Sequence, residues 1–351
     1  MGSIFGKFLR ASTFGESHGP AVGVVVEGVP AGLALDVARI QAELDRRRPG
    51  SSEFVSARRE PDQVEVLSGL ADGKTLGTPI ALLVRNRDAR SADYQELAEV
   101  FRPGQADYTY FRKYGLSPQP GGGRASGRET VGRVAAGAVA KMLLAPAGMD
   151  IFAYTLQIGR VKVGKVDRAF AEKDPLRCAD PTLAAAMAQE VKEARAAGDS
   201  VGGVVEVRAD NVPAGLGDPV FDKLDAALGG AMLSIGGVKG VEVGDGFAVA
   251  ERRGSKNNDQ MNSRGFLSNR CGGILGGIST GQPILLRLAV KPTPSIAVEQ
   301  STIDLEGKER RLSIKGRHDP CLCPRIAPVA EAMAALVLAD AWLAQKAAER
   351  E

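Results

Sequence analysis

The pentapeptide VPAGL occurs twice in this chain, at residues 29–33 and 212–216, an offset of 183. The same offset aligns Gly15, Glu16, Ser17 and Gly19 with Gly198, Asp199, Ser200 and Gly202. It also sets a valine-rich strand before each pentapeptide and an amphipathic helix after it. A register kept over strand, turn and helix points to one domain spanning residues 1–351 and built from two related α/β halves, at about 1–160 and 198–351. In the first copy Val37, Ile40 and Leu44 share a helix face, Asp36 is the expected N-cap and Pro49-Gly50 the stop; in the second, Val220, Leu224 and Leu228 share a face. Further strands are expected at 80–85, 151–158 and 284–290, and a helix at 182–197. His18 aligns with Val201, so chemistry at His18 belongs to one copy only, an asymmetric site on a symmetric frame.

Size and charge narrow the classes. At 351 residues and 44% hydrophobic the chain buries a full core. Its 45 cationic and 42 acidic residues leave a formal charge of +3, too balanced for nucleic acid binding by bulk electrostatics. The most apolar stretch, 332–343, is broken by Asp340 and reads as a core helix; with no apolar run at the N-terminus, a cytoplasmic protein without a membrane partner is expected. The four cysteines lack CxxC spacing and are expected to be reduced. His318, Cys321 and Cys323 lack a fourth ligand, so no metal is expected.

Residues 102–130, RPGQADYTYFRKYGLSPQPGGGRASGRET, concentrate cations, hydroxyls and glycines. Gly121, Gly122 and Gly123 allow close backbone approach, Arg124 and Arg128 offer planar donor forks, and Ser126 both donates and accepts. Val131, Val134, Ala135, Ala138, Val139 and Met142 then recur at helical spacing, and Ser126 with Glu129 forms a capping-box signature that starts the helix near Gly127. A glycine loop feeding a helix N-terminus suits an anion, and the same composition also suits a solvated loop before an ordinary helix. Walker and dinucleotide spacings are absent. Of the two histidines, His18 sits between glycines in FGESHGP and His318 between Arg317 and Asp319 in KGRHDPCLCPR. Five glycines in 268–283 suit a flat ligand or a tight hairpin, and Lys291, Thr293 and Ser295 in KPTPS form a donor set for phosphate.

FGESHGP, RPGQADYTY, GGGRASGRET, GGILGGISTGQP with KPTPS, and GRHDPC occur in the order found in the chorismate synthase family, which the chain resembles over nearly its whole length. The resemblance implies a β-α-β sandwich with helices between two antiparallel sheets and an internal pseudo-repeat, assembled as a cytoplasmic homotetramer. It implies a carbon–oxygen lyase that forms chorismate and phosphate from 5-enolpyruvylshikimate 3-phosphate by anti 1,4-elimination, with reduced FMN as cofactor. By the same resemblance His18 protonates the departing phosphate, and Arg47, Arg102, Arg128 and Arg317 hold the trianionic substrate. Arg124, Ala125, Ser126, Gly236, Gly237, Gly276, Lys291, Pro292, Thr293, Pro294, Ser295 and Arg317 fall where the family contacts FMN, and Asp319 assists removal of the ring proton. No separate pyridine-nucleotide (NADP) domain is legible, so an external flavin reductant is expected. Four positions depart from the family pattern: Gln105 replaces a second histidine, Glu53 an arginine, Gly236-Gly237 an Asn-Ala pair, and SPQP at 117–120 an Asp-x-Arg. The first two of these, at Gln105 and Glu53, motivate an alternative, a flavin- and anion-binding paralogue with weak or no lyase activity.

Overall fold

The computed structural model describes residues 2–50, 54–55, 60–88, 97–314, 316 and 318–348. We number in chain order the strands of the two larger sheets and the helices of eight or more residues. The first sheet contains β1 (Ile4–Phe5), β2 (Arg10–Gly15), β3 (Ala21–Glu27), β4 (Val64–Ser68) and β5 (Ile80–Arg85), in the order β1-β2-β3-β5-β4. The second contains β6 (Asp150–Ile158), β7 (Val161–Lys162), β8 (Gly203–Asp210), β9 (Val238–Val243) and β10 (Ile284–Val290), in the order β7-β6-β8-β10-β9. All of these pairings are antiparallel. In each sheet the central strand, β3 or β8, leads into a VPAGL segment and then a helix. The strand at 150–158 joins the second sheet, so the chain leaves the first sheet well before residue 160.

Each sheet has one apolar face, because side chains alternate along a strand. In the first sheet Val22, Val24 and Val26 on β3 are buried opposite Val84, Leu82 and Ile80 on β5. In the second, Val205, Val207 and Ala209 on β8 face Leu288, Leu286 and Ile284 on β10. Six helices follow: α1 (Val37–Arg47), α2 (Asp107–Tyr114), α3 (Thr130–Leu144), α4 (Ala184–Ala196), α5 (Leu224–Leu233) and α6 (Cys323–Ala348). α3 packs on β2, β3 and β5; α6 packs on β6 and β8; and the two helices pack on each other, closing a sandwich with helices between antiparallel sheets. Glycine sets the spacing: a Cβ on Gly137 of α3 would overlap Ala332 of α6, and one on Gly132 would lie 2.8 Å from the Gly23 carbonyl oxygen of β3. α6 is long and apolar enough to cross a membrane, and its place between the layers accounts for that composition, since residues 323–339 apart from Arg325 are buried.

One ionic cluster joins these layers. Glu331 of α6, 1% exposed, accepts from Arg46 of α1 at 2.7 and 2.8 Å, from Lys141 of α3 at 2.7 Å and from the Ala153 amide of β6 at 3.0 Å. Burial alone would raise its pKa, and the Lys141 and Arg46 charges outweigh burial and hold it below its ordinary 4.5.

Two local expectations are corrected. The helix after the second VPAGL starts at Leu224, where its amide donates to the Gly277 carbonyl, and Val220 lies before it, exposed in a turn closed by the Asp218–Asp222 bridge. Helix α4 is shorter than residues 182–197, because Asp180 accepts from the Thr182 amide and hydroxyl and holds a turn there. Asp36 does cap α1, accepting from the Ala38 amide at 2.8 Å.

Candidate active site

The arginine cluster begins where α1 ends. Arg47, in the last turn of α1 and 1% exposed, donates to Asp62 Oδ2 at 2.6 Å and, at 3.2 Å each, to the Gly127 carbonyl and Thr130 Oγ1. Arg128 pairs with the other oxygen of Asp62 and donates through Nε to Asn86 Oδ1 at 2.8 Å. One buried carboxylate therefore holds two guanidiniums, one from each side of the glycine loop. Asp62 adopts a left-handed backbone (φ 47°), a strain its two ion pairs oppose. Burial and the nearby charges of Arg325 and Arg128 push the Arg47 guanidinium down to about 10 against the pull of Asp62, which still leaves it charged at neutral pH. Behind the cluster, Arg177 donates to the carbonyls of Arg46 and Pro324, both at 3.0 Å, and so ties the last turn of α1 to the first turn of α6.

The glycine loop meets His18 directly. Gly121 and Gly122 adopt left-handed φ of 62° and 85°, which lets the loop fold over the turn after β2. A Cβ on Gly121 would overlap the His18 imidazole and reach Ser17 Oγ at 3.0 Å; one on Gly122 would lie 3.7 Å from Arg102 Nη2 and 3.9 Å from Ser126 Cβ. His18 and Ser17 thus lie against Gly121, and Arg102 and Ser126 beside the next residue, Gly122. Arg102 is buried, with Nε and Nη2 each 2.7 Å from Asp107, so its fork is held by that carboxylate and fixed in direction. Ser126 accepts from the Arg128 amide at 3.3 Å, but Glu129 turns to Arg133 instead of closing a capping box, and a short 3-10 turn at Gly127–Glu129 precedes α3.

A second cluster forms around residues 291–295. The Lys291 amide donates to the Gly237 carbonyl at 2.9 Å, and its ammonium to the Gly104 carbonyl at 2.6 Å. Gln105 Nε2 lies 3.5 Å from Ser295 Oγ, and Thr293 Oγ1 donates to the Asp319 carbonyl at 2.6 Å. The turn that aligns with the His18 turn supports this side: Ser200 Oγ donates to the Thr293 carbonyl at 2.7 Å and the Val201 amide to the Pro320 carbonyl at 2.9 Å. One copy of the repeated turn thus carries His18, and the other holds Thr293 and Pro320, the residue after Asp319. Asp319 also accepts from Arg325 Nη1 at 2.6 Å. Burial and the Arg102 charge lower the pKa of His318 below 6.5 while Asp319 opposes them, so this histidine is neutral at neutral pH.

The structure does not gather every expected residue. Arg124 turns back onto β2, donating to Thr13 Oγ1 at 2.7 Å and to the Thr13 and Gly15 carbonyls at 3.2 Å, so it braces the loop beside Ala125. Gly276 lies in a two-residue hairpin turn against the start of α5, whereas Gly236-Gly237 follow its end, a separation of about 15 Å for a ten-residue helix. Arg317 and Glu53 lie outside the described residues. Sequence reasoning missed Asp62, Asp107 and Arg325. Asp107, two residues after Gln105, carried the clearest signal, an acid in the first turn of α2 five residues from Arg102; Asp62 and Arg325 had none beyond their charge.

Comparisons with known proteins point to one family. The chorismate synthase family model matches residues 9–343. A chorismate synthase of Syntrophus aciditrophicus is 54% identical over 349 residues, covering 99% of each chain. One from Chloroflexus aurantiacus is 55% identical over 352 residues, covering 99% of this chain and 97% of its own. A solved structure described as a crystal structure of chorismate synthase superposes with a TM-score of 0.77 at 34% identity, covering 97% of this chain and 93% of that one.

Proposed function

This chain belongs to the chorismate synthase family and is a lyase of that family, and from that premise we propose that it converts 5-enolpyruvylshikimate 3-phosphate to chorismate and phosphate with reduced FMN. The observation that carries the reading is the placement of the His18 imidazole against Gly121 of the glycine loop, whose next residue, Gly122, lies beside Arg102 and Ser126. A phosphate leaving there meets a proton donor and cations whose directions are already set, so little reorganisation accompanies bond cleavage. Arg47 and Arg128, oriented by Asp62, and Arg102, oriented by Asp107, bind the anionic substrate; Arg317 completes the set in this reading.

The residues around 291–295 fit a flat, phosphate-bearing cofactor. Gly236 has open space where a Cβ would point, and the next residue, Gly237, accepts from the Lys291 amide, which brings the start of the 291–295 segment beside it. Reduced FMN, when bound, supplies the electron density for carbon–oxygen cleavage without net redox change. Asp319, oriented by Arg325, assists removal of the substrate's ring proton. Gln105, on Ser295, donates a hydrogen bond but exchanges no proton near neutral pH. Lys291 and Gly104 hold that segment against the cofactor side.

Anaerobic protein given reduced FMN and the substrate is expected to release phosphate and form chorismate. FMN binding without turnover would instead favour a flavin- and anion-binding paralogue, the second reading that Gln105 motivates. The proposal includes a cytoplasmic homotetramer fed by an external reductant. Turnover with NADPH and oxidised FMN alone overturns the external source, and light scattering reads the assembly.

A further inference from the structure

Three guanidiniums in the site each keep one buried N–H without a hydrogen-bond acceptor: Arg47 Nε, Arg128 Nη2, whose ion-pair partner Glu60 lies 3.9 Å away, and Arg325 Nε. Buried donors are costly to leave unmet, and Arg47 and Arg128 side chains are only 1% and 3% exposed. The remaining polar contacts of these groups run to protein carboxylates, carbonyls and hydroxyls, which hold the three forks in place. Arg325 belongs to the same group as the other two. Arg177 ties the residue before it, Pro324, to the residue before Arg47, and the Arg325 charge acts on Arg47.

We infer that Arg325 is a further substrate-binding residue, whose Nε edge joins Arg47 and Arg128 in taking an anionic oxygen of the phosphorylated substrate while its Nη1 holds Asp319. A tetrahedral phosphate accepts donors from several directions at once, which three fixed guanidiniums provide. Arg325 then serves both ends of the elimination: it binds the anion and keeps the Asp319 carboxylate oriented. The assignment rests on the substrate class proposed above.

Calorimetric titration of 5-enolpyruvylshikimate 3-phosphate into wild type, R325M and R325K, each with FMN present, tests it. The substrate Kd is expected to rise about 10- to 100-fold in R325M and less in R325K, which keeps the charge and loses the fork. The FMN Kd, read by flavin fluorescence, is expected to stay within about twofold. A double-mutant cycle separates direct contact from action through Asp319: in a D319N background R325M is expected still to weaken substrate binding about tenfold. Equal substrate affinity in wild type and R325M, or an effect that vanishes in D319N, overturns the assignment alone. Absence of substrate binding by wild type overturns the underlying functional reading as well. If R325M fails to fold by circular dichroism, R325K decides, an unchanged Kd again overturning the assignment.

Discussion

At the scale of single residues, the site depends on charged groups whose directions are set by protein partners before a ligand arrives. His18→Asn is expected to lower kcat about 10²- to 10⁴-fold while leaving substrate affinity nearly unchanged, measured by phosphate release and by calorimetry. Gln105→His introduces a group that titrates near neutrality on Ser295, and is expected to shift the pH profile of turnover more than substrate Kd. A loss of substrate binding with an unchanged profile would make position 105 a ligand contact instead. His18, Asp319 and the arginines were legible as residue types in motifs. Their partners were not: Asp62 sits in an unremarkable EPDQ stretch, and only folding brings it between Arg47 and Arg128.

Elements carry the next level of control. The repeated turn after β2 and before β8 is one structural device used twice, once to present His18 and once to hold Thr293 and Pro320, beside Asp319. Gly121→Ala places a methyl group on the imidazole and forces a left-handed alanine, so kcat is expected to fall at least about tenfold while Tm changes little, because the loop lies outside the sandwich core. Gly137→Ala acts in the opposite way. It overpacks the contact between α3 and α6 and is expected to destabilise the fold by about 1–3 kcal/mol, read by urea unfolding, with kcat of the folded fraction unchanged. Helices α1 and α3 and strands β3, β5 and β10 follow from periodicity. The late start of α5 does not, because the Gly277 carbonyl that receives its first amide comes from a hairpin some fifty residues later in the chain.

For the whole molecule, Glu331 is the point where both halves meet. Its carboxylate is held below 4.5 in the folded state, so the stability it contributes is complete above 4.5 and is lost as pH falls through the folded value. Glu331→Gln is expected to cost about 3 kcal/mol at pH 7, with the gap from wild type narrowing below pH 4.5, as urea unfolding across pH would show.

The sequence by itself determined the family, the pairing of two α/β halves and the residue types of the chemistry, because periodicity, turns and motif spacing are properties of short stretches of chain. Only the tertiary structure decided which charges meet. Arg46 finds Glu331 across 285 positions, Arg124 bonds to Thr13 of β2, and the Arg325 charge reaches Arg47. The physical reason is burial: removing a charge from water makes its partner in space, and not its neighbour in sequence, the term that governs its energy.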